Sequence, residues 1–149
     1  MIERAHFLGL LAEALGKTGR VADGLRAIDD ALQDVDKHRA CFYQAELYRI
    51  KGELLLLQTA AATELRPPAA DEAERCFRAA IEIAKRQHAK SLELRAAVSL
   101  ARHWQRQGRP DTAHELLAEV YGWFTEGFDA PDLQEARALL GRLVLAARG

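Results

Sequence analysis

The chain is poor in the residues that staple or break a fold. Its two cysteines, Cys41 and Cys76, stand singly inside helical patterns, and no CxxC pair occurs. Two such thiols make neither a disulfide framework nor a metal clip, so both are expected as buried helix residues in a reducing compartment. Only four prolines punctuate 149 residues, which leaves room for long uninterrupted helices. Aromatic residues are a modest 7%. Apolar runs such as Leu54 to Leu57 are far short of a membrane span. The opening MIERAHFLGLLAEALGK carries acids early and lacks an apolar core, which is not the pattern of a signal peptide. Charge of one sign is missing too. The formal net charge is −1, so no whole-chain field draws nucleic acid or an anionic membrane. A soluble, cytoplasmic protein is expected, with neither nucleic acid nor membrane as partner.

What is present is helix-forming material. Hydrophobic residues make up 49% and charged residues 29%, a globular balance in a chain long enough to bury a core. Ala, Leu, Glu and Arg dominate. Apolar residues recur with a helical period, as at Phe7, Leu8, Leu11, Ala12 and Leu15, and no credible strand appears. The punctuation divides the chain into a single domain of three helix pairs, at about 2–34, 39–88 and 91–121. A capping helix follows at about 131–147. The one irregular stretch, Thr59 to Ala70, holds Pro67-Pro68, and the fourth helix is expected to begin at Asp71. Asp34, Asp36 and His38 alternate in an expected solvated link.

Two segments repeat each other. In Gly19-Arg20 through Ala31 and in Gly108-Arg109 through Val120, a glycine ends one helical run. A small residue follows (Gly24, Ala113), then a large apolar one (Ile28, Leu117), then a small apolar one (Ala31, Val120). A third copy keeps Ala73, Phe77 and Ala80. Small residues on the first helices, Ala12, Gly52 and Ala101, are spaced by 40 and 49 residues; on the second helices the order is 49, then 40. The reversal locates about nine extra residues inside the second pair, at the Pro67-Pro68 loop. Small residues let helices approach closely, and large ones fill the groove between neighbours.

This pattern resembles the tetratricopeptide repeat. The second helices match well, while the first match at Leu8, Leu11, Ala12 and Leu15, at Tyr48, Gly52 and Leu55, and at Ala97, Leu100, Ala101 and Trp104. The segments Glu46 to Leu56, Ser91 to Ala97 and Tyr121 to Asp129 look like a narrower group. They are similar to the C-terminal repeat region of large bacterial signalling proteins. Those proteins carry a class III adenylate or guanylate cyclase or a winged-helix DNA-binding domain, then a STAND-type ATPase. The resemblance implies an all-α array acting as a sensor or docking arm, with a protein or peptide partner and no cofactor. It also implies preceding repeats in relatives, so a homodimer through the first helix pair is an expectation.

Catalytic parts are not legible. No GxxxxGK[ST] loop occurs; Gly16-Lys17-Thr18 has its upstream glycine at Gly9 and no strand before it. The five histidines show no HxxxH or HExxH spacing. The expectation is therefore not an enzyme. A binding role rests on the first helices, which line the concave face in tetratricopeptide arrays. The inward positions are His6, Glu13 and Lys17; Glu46, Arg49 and Glu53; and Arg95, Arg102, Gln105 and Arg106. Arg95, Arg102 and Arg106 share one helix face and are suited to an acidic peptide or a terminal carboxylate. Glu46, Glu53 and Glu93 stand near enough to balance them, which favours a mixed-charge partner. The alternative is a small molecule or peptide sensed in the concavity. An apolar closed pocket would favour the small molecule, and an open charged groove the protein partner. Trp123, Phe124 and Phe128 are expected to pack the seventh helix onto the third pair.

Overall fold

The computed structural model describes the backbone of residues 2–38, 43–61 and 67–148. Within these, side chains are described from residue 8 onward, except for 36–38, 59–61 and 67–69. Cys41 lies outside the described residues, as does the side chain of His6. The described chain is all-α: α1 (Ile2–Lys17), α2 (Val21–His38), α3 (Gln44–Ala61), α4 (Pro67–Arg86), α5 (Lys90–Arg106), α6 (Pro110–Tyr121) and α7 (Pro131–Arg148).

Three connections share one turn. After α1, the Arg20 amide donates to the Leu15 carbonyl at 2.8 Å; after α4, Ala89 donates to Ala84 at 2.9 Å; after α5, Arg109 donates to Trp104 at 2.9 Å. Each bond spans five residues back and satisfies a helix-end carbonyl. It requires a left-handed residue just before the donor, and Gly19 (φ 84°), His88 (φ 55°) and Gly108 (φ 76°) supply it. The two glycines are the ones that mark the sequence repeat. His88 takes the same conformation with a side chain and so escapes a glycine search.

Two helix boundaries differ from the sequence reading. α2 runs through Asp34 to His38, because nothing in that stretch breaks a helix. α4 starts at Pro67, four residues before the expected Asp71. Both prolines fall in the first turn, where the missing amide hydrogen has no helical acceptor to lose.

Helices pack in sequence, each on the next. In addition, α1 touches α3, α3 touches α5, and α5 touches α7. Those four form an inner layer. The outer helices α2, α4 and α6 make at most marginal contact with one another among the described residues. An inner layer in contact and an outer layer splayed give the array a concave inner face. α7 thus covers the end of the third pair and also takes the next place in the inner layer.

The repeat positions are the packing positions. Ala12, Ile28, Ala31, Ala73, Phe77, Ala80, Ala101, Ala113 and Leu117 are fully closed to solvent. α3 is a wall shared by two cores. Its Leu47, Ile50 and Leu54 face α1 and α2 with Ile28 and Val35. Its Leu55 joins Phe77, Leu100, Trp104, Leu117 and Leu139 on the other side.

Candidate functional site

The inner layer is buried wherever helices meet, so its free strip is narrow and carries the polar side chains. One cavity of about 230 Å³ is lined by Glu13, Arg49, Arg95, Val98, Ser99, Arg102, Asp132 and Glu135. A second, of about 220 Å³, is lined by Glu13, Lys17, Arg49, Ile50, Glu53, Leu54, Leu57 and Arg102. Glu13, Arg49 and Arg102 belong to both, so the two are one continuous trench across α1, α3, α5 and α7. One half is almost wholly charged. The other has an apolar floor of Ile50, Leu54 and Leu57.

The trench is organised around a buried carboxylate. Glu46 is only 2% exposed. One turn on, Arg49 donates to it from Nε at 3.0 Å and from a terminal nitrogen at 2.6 Å. Arg95 reaches it from α5 at 3.1 Å. Arg95 also points its Nε toward Asp132 of α7, 3.6 Å away. Burial alone pulls the Arg49 guanidinium down, but the Glu46 bond and charge outweigh it and hold it above the usual arginine value. Arg102 pairs with Glu135 of α7. Lys17 stands 3.9 Å from Glu13 along α1.

These pairs decide what the arginines can do. Arg95 and Arg102 are cross-helix ties from α5 to α3 and α7, each already facing a carboxylate. Four cations (Lys17, Arg49, Arg95, Arg102) and five carboxylates (Glu13, Glu46, Glu53, Asp132, Glu135) share the trench. The sign is mixed throughout. Of the residues expected to face inward, Glu13, Lys17, Arg49, Glu53, Arg95 and Arg102 come together, with Glu46 beneath them. Gln105 and Arg106 line neither cavity. Asp132 and Glu135 were not anticipated. Reading α7 as the next inner helix, with Leu133, Ala136, Leu139 and Leu143 as its buried stripe, would have placed both carboxylates beside the trench.

The aromatic elbow departs from expectation. Phe124 is half-buried against the core, but Trp123 is 58% exposed and Phe128 44%. Trp123 stacks edge-on against Phe124 at 5.3 Å and sits 5.3 Å under the Lys90 ammonium; Phe128 leans on Tyr121 at 5.9 Å. The glycine-rich chain bends outward there, so its rings satisfy one another more than the core. Trp104, by contrast, is buried, with the Arg78 and Arg109 guanidiniums over its ring at 5.3 and 5.0 Å. Glu74 lies between those cations. Burial raises its carboxyl, but the hydrogen bonds from Arg78 and the charges of Arg78 and Arg109 bring it below the usual range. Cys76 is buried, and that burial pushes its thiol up. Among the described residues no three His, Cys, Asp or Glu side chains converge as a metal site needs. No described helix is long and apolar enough to cross a membrane.

Stacked pairs, a concave inner layer and small residues at each crossing define an all-α tetratricopeptide-like helical-hairpin array. No family model matches the chain, and no curated protein matches it. Two solved structures are similar in architecture. One is a crystal structure of a point variant of nearly identical TPR-like repeats of a kinesin light chain candidate from Podosopora anserina. It is 16% identical with a TM-score of 0.48, over 98% of this chain and 87% of that one. The other is a crystal structure of nearly identical repeats from the same source, 18% identical with a TM-score of 0.38, over 99% and 88%.

Proposed function

We propose that this array is a non-catalytic protein-interaction module that holds a partner segment in its concave trench. The carrying observation is the trench itself, open, continuous over four helices and lined by charges of both signs beside an apolar floor. Such a wall suits a segment that sets an apolar residue on Ile50, Leu54 and Leu57 and lays mixed charges along Glu13, Arg49 and Arg102. A purely acidic peptide is poorly matched, since every arginine there faces a carboxylate. A small apolar ligand finds no enclosed cavity in it. The likeness in sequence to the repeat tails of bacterial cyclase and ATPase regulators supports a docking arm of a cytoplasmic signalling protein. Exposed Leu10 and Leu11 on α1 support the expected self-contact of the first pair.

The test is a displayed library of random peptides selected on the folded protein, followed by measured affinities. Selected sequences should share an apolar anchor flanked by both charge signs. Leu57→Asp and Arg102→Glu should each weaken them by about tenfold or more, while Arg106→Glu, outside the trench, leaves them unchanged. Recovery of peptides indifferent to Leu57 and Arg102 would overturn the proposal.

A further inference from the structure

The outward side of α7 joins an exposed apolar stripe to flanking arginines among the described residues. α7 buries Leu133, Ala136, Leu139 and Leu143. Directly opposite stand Gln134, Ala138, Gly141 and Leu145, spaced as one stripe of a helix. All four are exposed, and Leu145, at 70%, is the most exposed large hydrophobic residue described. Arg137 and Arg148 flank the stripe on one side and Arg142 on the other. The acids of α7 itself, Asp132 and Glu135, turn toward the trench, while Asp111 and Glu115 of α6 share a cleft with Arg148 at one edge of the face. None of the three arginines forms an ion pair with a described residue.

Gly141 is the telling residue. A glycine in a helix interior weakens the helix, so it needs a reason. Elsewhere in this chain the reason is visible. A methyl at Gly16 would stand 2.5 Å from Leu54, at Gly24 2.9 Å from the Ala12 carbonyl, and at Gly52 2.5 Å from Phe77; at Gly9 it would press Leu47 at 3.1 Å. Each is the point where another helix approaches closely. At Gly141 a methyl would meet nothing within 4 Å. The same device is present without its neighbour.

The geometry points to a docking surface on α7 for an acidic amphipathic helix of a partner protein. Its apolar stripe would lie along Ala138, Gly141 and Leu145, the glycine permitting the close crossing seen at Gly52. Its flanking carboxylates would pair with Arg137, Arg142 and Arg148. Charge selects among occupants. A second copy meeting this face through its own α7 would set arginine against arginine, whereas a carboxylate-flanked helix meets opposite charge at Arg137 and Arg142. The surface lies across α7 from the trench and does not depend on the trench reading.

The test uses two labelled synthetic helix-forming peptides that share a leucine and alanine stripe, one flanked by glutamates and one by lysines. Fluorescence anisotropy is read against the full chain at low salt. The glutamate peptide should bind about tenfold or more tightly than its lysine twin and weaken several-fold as salt rises. Leu145→Asp and Gly141→Gln should each cost about tenfold. Arg137→Glu combined with Arg142→Glu should reverse the preference between the peptides. All are exposed positions, and unchanged far-UV circular dichroism will verify the fold. Arg102→Ala, in the trench, should leave this binding intact. Equal affinity for both peptides, absence of binding by either, or indifference to Gly141→Gln would overturn the inference. So would a self-association in sedimentation that Leu145→Asp abolishes, since a second copy would then own the face.

Discussion

Replacing Gly52 by alanine sets two calculable effects against each other. The new methyl would stand 2.5, 2.8 and 2.9 Å from Cε1, Cδ1 and Cζ of Phe77, whose ring is fully closed to solvent. The ring has little room to retreat, with the His103 imidazole 6.3 Å beyond it and α3 and α5 on either side. Overpacking a dense core of this kind costs about 1–3 kcal/mol. Against it, alanine in a helix interior is better than glycine by about 0.5–1 kcal/mol. The net expectation is a loss of about 1 kcal/mol (span about 0–2.5 kcal/mol), or a fall in Tm of about 3 °C for a chain of this size. Gly141→Ala is the control. It brings the same helix gain with nothing within 4 Å to strike, so it should stabilise by about 0.5–1 kcal/mol. A double-mutant cycle with Phe77→Leu isolates the contact and should return a coupling of about 1 kcal/mol or more. Thermal and urea unfolding followed by far-UV circular dichroism measures all of these. If Gly52→Ala proves as stabilising as Gly141→Ala, or costs the same in the Phe77→Leu background, the close-crossing account of α3 on α4 is wrong.

Burial holds the His103 imidazole below its ordinary 6.5, while Glu74 and the Ala70 carbonyl pull the other way without prevailing. The folded form therefore keeps this ring neutral. The unfolded chain takes up the proton first, so the contribution is complete above pH 6.5 and is lost progressively as pH falls from there through the folded ring's lower value. Urea midpoints between pH 7.5 and 5 should show that fall, and His103→Leu should flatten it. Glu46→Gln strips the carboxylate from under Arg49 and Arg95 and should cost about 3 kcal/mol with little salt dependence, read in the same urea titrations. The exposed pair of Arg26 with Asp23 is screened by solvent, so Arg26→Ala should leave the urea midpoint unchanged. Trp123→Ala should cost less than about 0.5 kcal/mol in thermal unfolding, and Trp104→Ala about 3–5 kcal/mol.

The array was legible because its packing follows the chain. The positions that set the repeat (Ile28 and Ala31, Phe77 and Ala80, Leu117 and Val120) are the ones that neighbouring helices cover, so spacing reported burial directly. Leu11 shows where that rule ends. It keeps the repeat position yet is 39% exposed, because among the described residues no helix lies on that side of α1. Periodicity tells which face of a helix is apolar, not which neighbour covers it. For the same reason the sequence located Arg95 and Arg102 on one face but not their carboxylates on α7, whose register follows a non-periodic elbow. That elbow also hid the exposure of Trp123 and Phe128, since rings in a glycine-rich bend can turn either way at similar local cost. Glu46 was identified as an inward charge. Its part as the buried tie beneath Arg49 and Arg95 depends on the distance between α3 and α5, which no single helix encodes.

The double-sided burial of α3 has a consequence for how the molecule comes apart. The core shared with α1 and α2 and the core shared with α4 to α7 hang on opposite sides of one helix. The first pair can therefore detach as a cooperative unit while α3 stays anchored by Leu55 and Gly52 on its other side. Amides of α1 and α2 should then exchange with solvent at a lower opening free energy than those of α4 and α5. α3 itself should exchange with the slower set. A helix that serves two cores acts as a stop against unzipping, and it turns a linear stack into two folding units with a common edge.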